Sequence, residues 1–153
     1  MQLRFLDPER ERERLKARVK WLDHMSFVGE SGSGHSVVID GSPEHGGRNL
    51  GVRPMEMVLI GMGGCTAFDV VLMLQKSRQQ VSSVEVTLDS DRAEEIPQVF
   101  TRIALHFRIG GRGLSAKHVE RAVTLSAEKY CSVTRMLEST AEVETTWEIV
   151  EAE

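Results

Sequence analysis

Residues 17–22 alternate between apolar and polar, placing Ala17, Val19 and Trp21 on one side, the signature of a strand. Residues 26–30 and 35–40 predict a hairpin that turns on Ser31-Gly32-Ser33-Gly34. A glycine-rich stretch with Pro43 follows over 41–53 and reads as a loop. From Pro54 the alternation stops. Apolar residues run together to about Gln79, which predicts one long helix. Alternation returns over 81–89 through Val84, Val86 and Leu88. It is stricter over 99–109, where Val99, Thr101, Ile103, Leu105, Phe107 and Ile109 share a face, and Pro97 lies in the connection. Ser115 is placed to cap a helix whose inward residues are Val119, Ala122, Val123 and Tyr130. A short helix over 132–137 and a strand over 142–150, with Val143, Thr145, Trp147 and Ile149 on one face, close the chain. This order of elements predicts an α+β fold with antiparallel sheet, because the regular βαβ alternation of a doubly wound fold is missing.

The chain has 153 residues, which predicts a single domain over 17–153 able to bury its own core. Residues 1–16 stand apart as a charged arm; Asp7 can cap a helix there with Pro8 at its first position, solvated or packed on a partner subunit. A net charge of −4 argues against a nucleic-acid partner, which calls for a basic face. No signal-peptide pattern is present at the start, so the expectation is a cytoplasmic protein with reduced thiols. Residues 57–74 carry only one charge, Asp69, in a run long enough to span a bilayer. An acid at mid-span costs about 2.5–3.5 kcal/mol, so a helix buried in a core or a subunit interface is the expectation, with no membrane. Gly61, Gly63 and Gly64 each cost the helix about 1 kcal/mol relative to alanine. Close approach of another backbone would offset that, and this predicts a homodimer with the helices central.

The chemistry centres on two cysteines 66 residues apart, with no Cys-x-x-Cys motif. Cys65 lies deep in the apolar helix, where burial raises a thiol's pKa and the dipole of its own helix offers little. Asp69, four residues on and on the same face, opposes ionisation if it is charged and near. Activation of Cys65 therefore calls for a cation. Arg48 and Arg53, in the loop before the helix, are candidates from either subunit, with Asp69 a candidate to hold such an arginine. Cys131 precedes a helix start, where amide groups favour an anion. Sequence distance alone does not decide between a redox pair and two structural cysteines.

Pro54-Met-Glu-Met57, Gly63-Gly-Cys65-Thr-Ala67 and Ala127-Glu-Lys-Tyr-Cys131-Ser132, at this spacing, resemble the OsmC/Ohr family of osmotically inducible and organic hydroperoxide resistance proteins. The resemblance runs from about Ala17 to the C-terminus. It implies an intertwined α+β homodimer, with antiparallel sheets wrapped around two long central helices. It also implies a thiol peroxidase acting on organic hydroperoxides, with Cys65 forming a sulfenic acid and Cys131 closing a Cys65–Cys131 disulfide. A dithiol, typically a lipoyl group, free or on a lipoylated protein, would restore the thiols, with no cofactor and no metal. Family members place a glutamate ten residues before the first cysteine, where this chain has Met55. Glu56 lies one residue on, about 100° around the helix, and can instead cap its start. The family's arginine near the first strands has no counterpart in residues 29–35. These departures leave an alternative: a non-catalytic dimer that binds a small molecule or senses oxidants through its thiols.

The five histidines show no metal-ligand spacing, and His106 is expected on an exposed strand face. Ser31-Gly-Ser-Gly34 lacks the Lys-Ser/Thr of a phosphate loop. Met55, Met57, Met62 and Met73 read as core fillers, with a pocket for an alkyl tail as the second reading.

Overall fold

The computed structural model describes residues 14–152, so the predicted helix start at Asp7–Pro8 and most of the charged arm lie outside the described residues. The described chain forms two compact units that divide between Met57 and Val58.

The first unit holds a three-stranded antiparallel sheet of β1 (Ala17–Asp23), β2 (Ser26–Ser31) and β3 (Ser36–Ile39). The hairpin turn falls at the predicted Ser-Gly-Ser-Gly, where Ser31 Oγ and Ser33 Oγ lie 2.9 Å apart and Gly34 takes a positive φ. The glycine-rich loop then folds around Asp40, only 1% exposed. Its carboxylate accepts the backbone N–H groups of Gly41, Arg48 and Leu50 at 2.8, 3.2 and 3.1 Å. Burial by itself pushes this acid up, but those three amides and the Ser26 hydroxyl outweigh it and hold it below the usual carboxylate range. Gly47 passes so close to the Gly41 backbone that a side chain there has no room.

The helix α1, Pro54–Lys76, starts at the predicted proline and ends three residues before the predicted stop. Arg78, at positive φ, and the bond from Gln79 N–H to Leu74 O end it. Its second-unit portion buries one face, Met62, Gly63, Thr66, Val70 and Leu74. The opposite face stays open, with Ile60 64% and Phe68 70% exposed, so the single chain does not bury the helix all round. By length and composition alone this helix could cross a membrane.

The second unit's sheet has the order β4 (Gln80–Arg92), β5 (Phe100–Arg112), β6 (Glu142–Glu151). The β4–β5 pair is antiparallel, as expected, but β5–β6 is parallel. The chain reaches β6 by a helical crossover, which allows it to re-enter the sheet beside β5 in the same direction. The crossover comprises α2 (Ala116–Leu125), a π-helical turn over Ser126–Tyr130 and α3 (Ser132–Leu137). Ile103, Leu105, Phe107 and Ile109 form the centre of the core as predicted. At the start of β5 the predicted face is reversed: Phe100 is buried, while Val99 and Thr101 are exposed. Thr101 is an extra residue in the ladder, since Asp91 pairs with Arg102 and Arg92 with Phe100, and such a bulge flips the alternation.

Ser115 occupies the cap position of α2 with extended backbone, but its side chain makes no capping bond. Val119, Ala122 and Val123 are buried as expected. Tyr130 is 52% exposed and points outward, because the π turn adds a residue per turn and breaks the 3.6-residue period. His106 is exposed, as predicted, with its Nδ1 2.8 Å from Thr146 Oγ1.

Candidate thiol site

The two cysteines come together in the second unit. The half-buried Cys65 thiol, in the middle of α1, lies near enough to the Cys131 sulfur and to the backbone amides of Ser132 and Val133 for each to act on its ionisation. Cys131 is 2% exposed, and its sulfur accepts the Thr134 N–H at 3.4 Å. The start of α3 thus supplies amides to both sulfurs, not to Cys131 alone. Thr134 Oγ1 is buried beside Cys131 without a hydrogen-bond partner among the described residues, a costly state for a hydroxyl.

Burial, and then the neighbouring Cys131 sulfur, push the Cys65 thiol up; the amides of Val133 and Ser132 pull it down by less. The amides favour a sulfur anion at Cys65 but do not overcome desolvation.

Ser126 joins the helix of Cys65 to the segment of Cys131. Its hydroxyl is fully buried and lies 3.2 Å from both Thr66 O and Asp69 Oδ2, to either of which it donates. Its carbonyl accepts the Cys131 N–H at 2.9 Å and closes the π turn. Asp69 therefore stands one turn from Cys65 as an acceptor for Ser126.

The other predicted residues have separate duties in the first unit. Glu56 accepts the Arg53 backbone N–H at 2.9 Å and the Arg53 guanidinium at 3.2 Å. That is half of a capping box at the start of α1. The Arg53 amide, with its side chain, holds Glu56 below the usual carboxylate range against the opposing effect of burial. Arg48 pairs with Asp23 at 2.6 Å. Among the described residues, no group of three His, Cys, Asp or Glu side chains is placed to hold a metal ion.

A cavity of about 490 Å3 lies between α1 and α2, with Asp69 and Tyr130 in its lining but neither cysteine. Met73 lines it, whereas Met62 is core. Sequence reasoning missed Ser126, Lys76, His118 and Arg121. The last three do leave a signal, being the polar positions flanking an apolar stripe.

Two thiols thus converge on a helix start, in an α+β unit with one long apolar helix. The sequence model of the family described as OsmC-like protein matches residues 46–146. The chain is 50% identical over 138 residues to Protein YhfA of Escherichia coli K12, covering 90% of this chain and 100% of that one. A crystal structure of a hypothetical protein from Aquifex aeolicus VF5 has a TM-score of 0.81 at 28% identity, covering 92% of this chain and 99% of that one. An organic hydroperoxide resistance protein from Elizabethkingia anophelis has a TM-score of 0.67 at 16% identity, over 90% of this chain and 96% of that one, a likeness of fold. The chain belongs to the OsmC family.

Proposed function

We propose that the protein is a thiol-dependent peroxidase for organic hydroperoxides, with Cys65 as the attacking residue and Cys131 as the resolving one. The observation that carries this reading is the meeting of both sulfurs at the amides that open α3. In the cycle, the Cys65 thiolate attacks the terminal oxygen of the hydroperoxide. An S–O bond forms, the O–O bond breaks, and the leaving alkoxide takes up a proton to become an alcohol. The Cys131 thiolate then attacks the sulfenic sulfur, expelling hydroxide that protonates to water and leaving a disulfide. A dithiol of lipoyl type restores both thiols by exchange and is itself oxidised. The reading includes a cytoplasmic homodimer that needs neither metal nor organic cofactor. The open stripe of α1 supports the dimer.

With dihydrolipoamide as reductant, wild type should consume cumene hydroperoxide, and Cys65→Ser should fall to background. Cys131→Ser should give one equivalent of alcohol and then stall or over-oxidise. Because the Cys65 thiol is pushed up, it rests protonated near neutral pH, so the rate of the first step should climb as pH rises through and past the ordinary cysteine range. Equal turnover by Cys65→Ser and wild type would end the peroxidase reading.

The raised thiol also favours a second reading, a small-molecule-binding or redox-sensing dimer. That protein would form the disulfide once, slowly, without turning over hydroperoxide.

A further inference from the structure

Among the described residues, Thr134 Oγ1 is the buried side-chain polar atom that no hydrogen bond satisfies. Thr134 is 2% exposed and lies in the first turn of α3. A helical threonine ordinarily gives its hydroxyl to the carbonyl three or four residues back. Here those carbonyls belong to Cys131 and Tyr130, and Oγ1 bonds neither. The same residue is already turned to a sulfur, since its backbone N–H donates to Cys131 Sγ at 3.4 Å. Two of the three staggered rotamers of a threonine keep Oγ1 next to its own backbone nitrogen, so a turn about χ1 can bring the hydroxyl to that sulfur. A thiol sulfur is a weak acceptor, whereas an anionic acceptor draws a much stronger bond. Cys131 is itself buried, so a charge arising on its sulfur has to be met by donors of the protein.

We propose that Thr134 is a further catalytic residue of the thiol cycle, its hydroxyl donating to the Cys131 sulfur while that sulfur carries negative charge. This rests on the Cys65–Cys131 disulfide of the reading above, but not on hydroperoxide turnover. When the disulfide opens, a thiolate of the reducing dithiol bonds to the Cys65 sulfur. The S–S bond breaks, and its electron pair goes to the Cys131 sulfur, which then takes up a proton. The second thiol of the reductant displaces Cys65 in turn, leaving the reductant oxidised and both cysteines reduced. Closing runs through the same state in reverse, with the Cys131 thiolate attacking the Cys65 sulfur. In that state charge is shared between the sulfurs, and the hydroxyl has a partner. In the resting dithiol it has none, and a disulfide sulfur carries no charge to draw it. Thr134 therefore lowers the barrier in both directions and leaves the equilibrium between dithiol and disulfide where it is.

The test takes the full chain, closes the disulfide with diamide, opens it with dihydrolipoamide and counts the freed thiols over time. Thr134→Val deletes the hydroxyl and fills nearly the same space. It should open about tenfold or more slowly than wild type, the factor that a hydrogen bond to a charged group carries. Thr134→Ser restores the hydroxyl and should open at close to the wild-type rate. The equilibrium of each variant with the dihydrolipoamide–lipoamide couple should match wild type. Reduced Thr134→Val should melt no lower than wild type, because the hydroxyl it loses held nothing. Equal opening rates in Thr134→Val and wild type overturn the proposal. So does slow opening with a shifted equilibrium, the mark of a displaced Cys131, or slow opening that Thr134→Ser shares. Hydroperoxide turnover with opening indifferent to Thr134→Val removes the hydroxyl and leaves the peroxidase reading standing. The expected pattern in a protein that turns over no hydroperoxide upholds Thr134 and removes only the peroxidase reading. A protein in which diamide closes no Cys65–Cys131 disulfide removes both.

Discussion

At the scale of single residues, Ser126 is the joint on which the thiol pair depends. It holds Asp69 and Thr66 of one helix with its side chain and the Cys131 amide with its carbonyl. Ser126→Ala keeps the carbonyl bond and deletes the side-chain link. Loss of stability should be about 1–2 kcal/mol, the usual cost of removing a buried hydroxyl's hydrogen bond. A local change should also appear: the sulfenic acid should form at the wild-type rate while the disulfide closes more slowly. Trapping with dimedone would read this as a larger captured fraction, and an unchanged fraction would reduce Ser126 to a packing residue. The two cysteines themselves were legible as candidates, but their settings and spacing left the pairing open, and only the family resemblance implied it. Ser126 was not, because a serine between two helical segments looks like a break in pattern until the π turn places it. Nor could spacing reveal that Glu56 and Arg53 bind each other, for that bond depends on where α1 begins.

Among the elements, the helix glycines divide into two kinds. Gly63 is buried against the sheet, and a methyl group there would lie 2.8 Å from Leu88 Cδ1, the tip of a flexible side chain. Gly61 and Gly64 face open space in the single chain. Alanine adds about 1 kcal/mol of helix stability at an open site, but overpacking at a closed one costs roughly 1–3 kcal/mol. Gly63→Ala should therefore lower the melting temperature at every protein concentration. Gly64→Ala should raise the stability of a dissociated chain and weaken the proposed dimer, a sign change that a concentration series of melts would detect. The elements were largely readable because their apolar periods are long and unmixed. What escaped was ladder detail: the bulge at Thr101 and the parallel entry of β6 depend on pairing partners that one strand's own alternation does not encode.

For the whole molecule, the open face of α1 is the surface that bears on the proposed dimer. Ile60, Gly64, Phe68 and Leu72 follow one another at four-residue steps and so form one stripe, with Ile60 and Phe68 more than half exposed. A contiguous apolar stripe of this kind on a chain that carries net charge −4 is a contact surface or an aggregation hazard. Gly64 within it suits a partner helix, because the backbone there is bare enough for close approach. A second copy of the same helix presents the same stripe, and a two-fold contact needs a surface complementary to itself. A lipid bilayer would cover the stripe too, but it would also have to take the acid Asp69 at mid-helix. Phe68→Asp places a charge at the centre of the stripe and alters neither a cysteine nor a residue that lines the cavity. Sedimentation should find wild type as a dimer and Phe68→Asp as a folded monomer or a much weaker dimer. The monomer's turnover then locates the activating group: activity retained means one chain carries all of it, and activity lost with an intact Cys65–Cys131 contact means the partner supplies what Arg48 and Arg53, bound to Asp23 and Glu56, do not give within their own unit. Dimers of equal strength from both proteins would exclude this stripe as the interface.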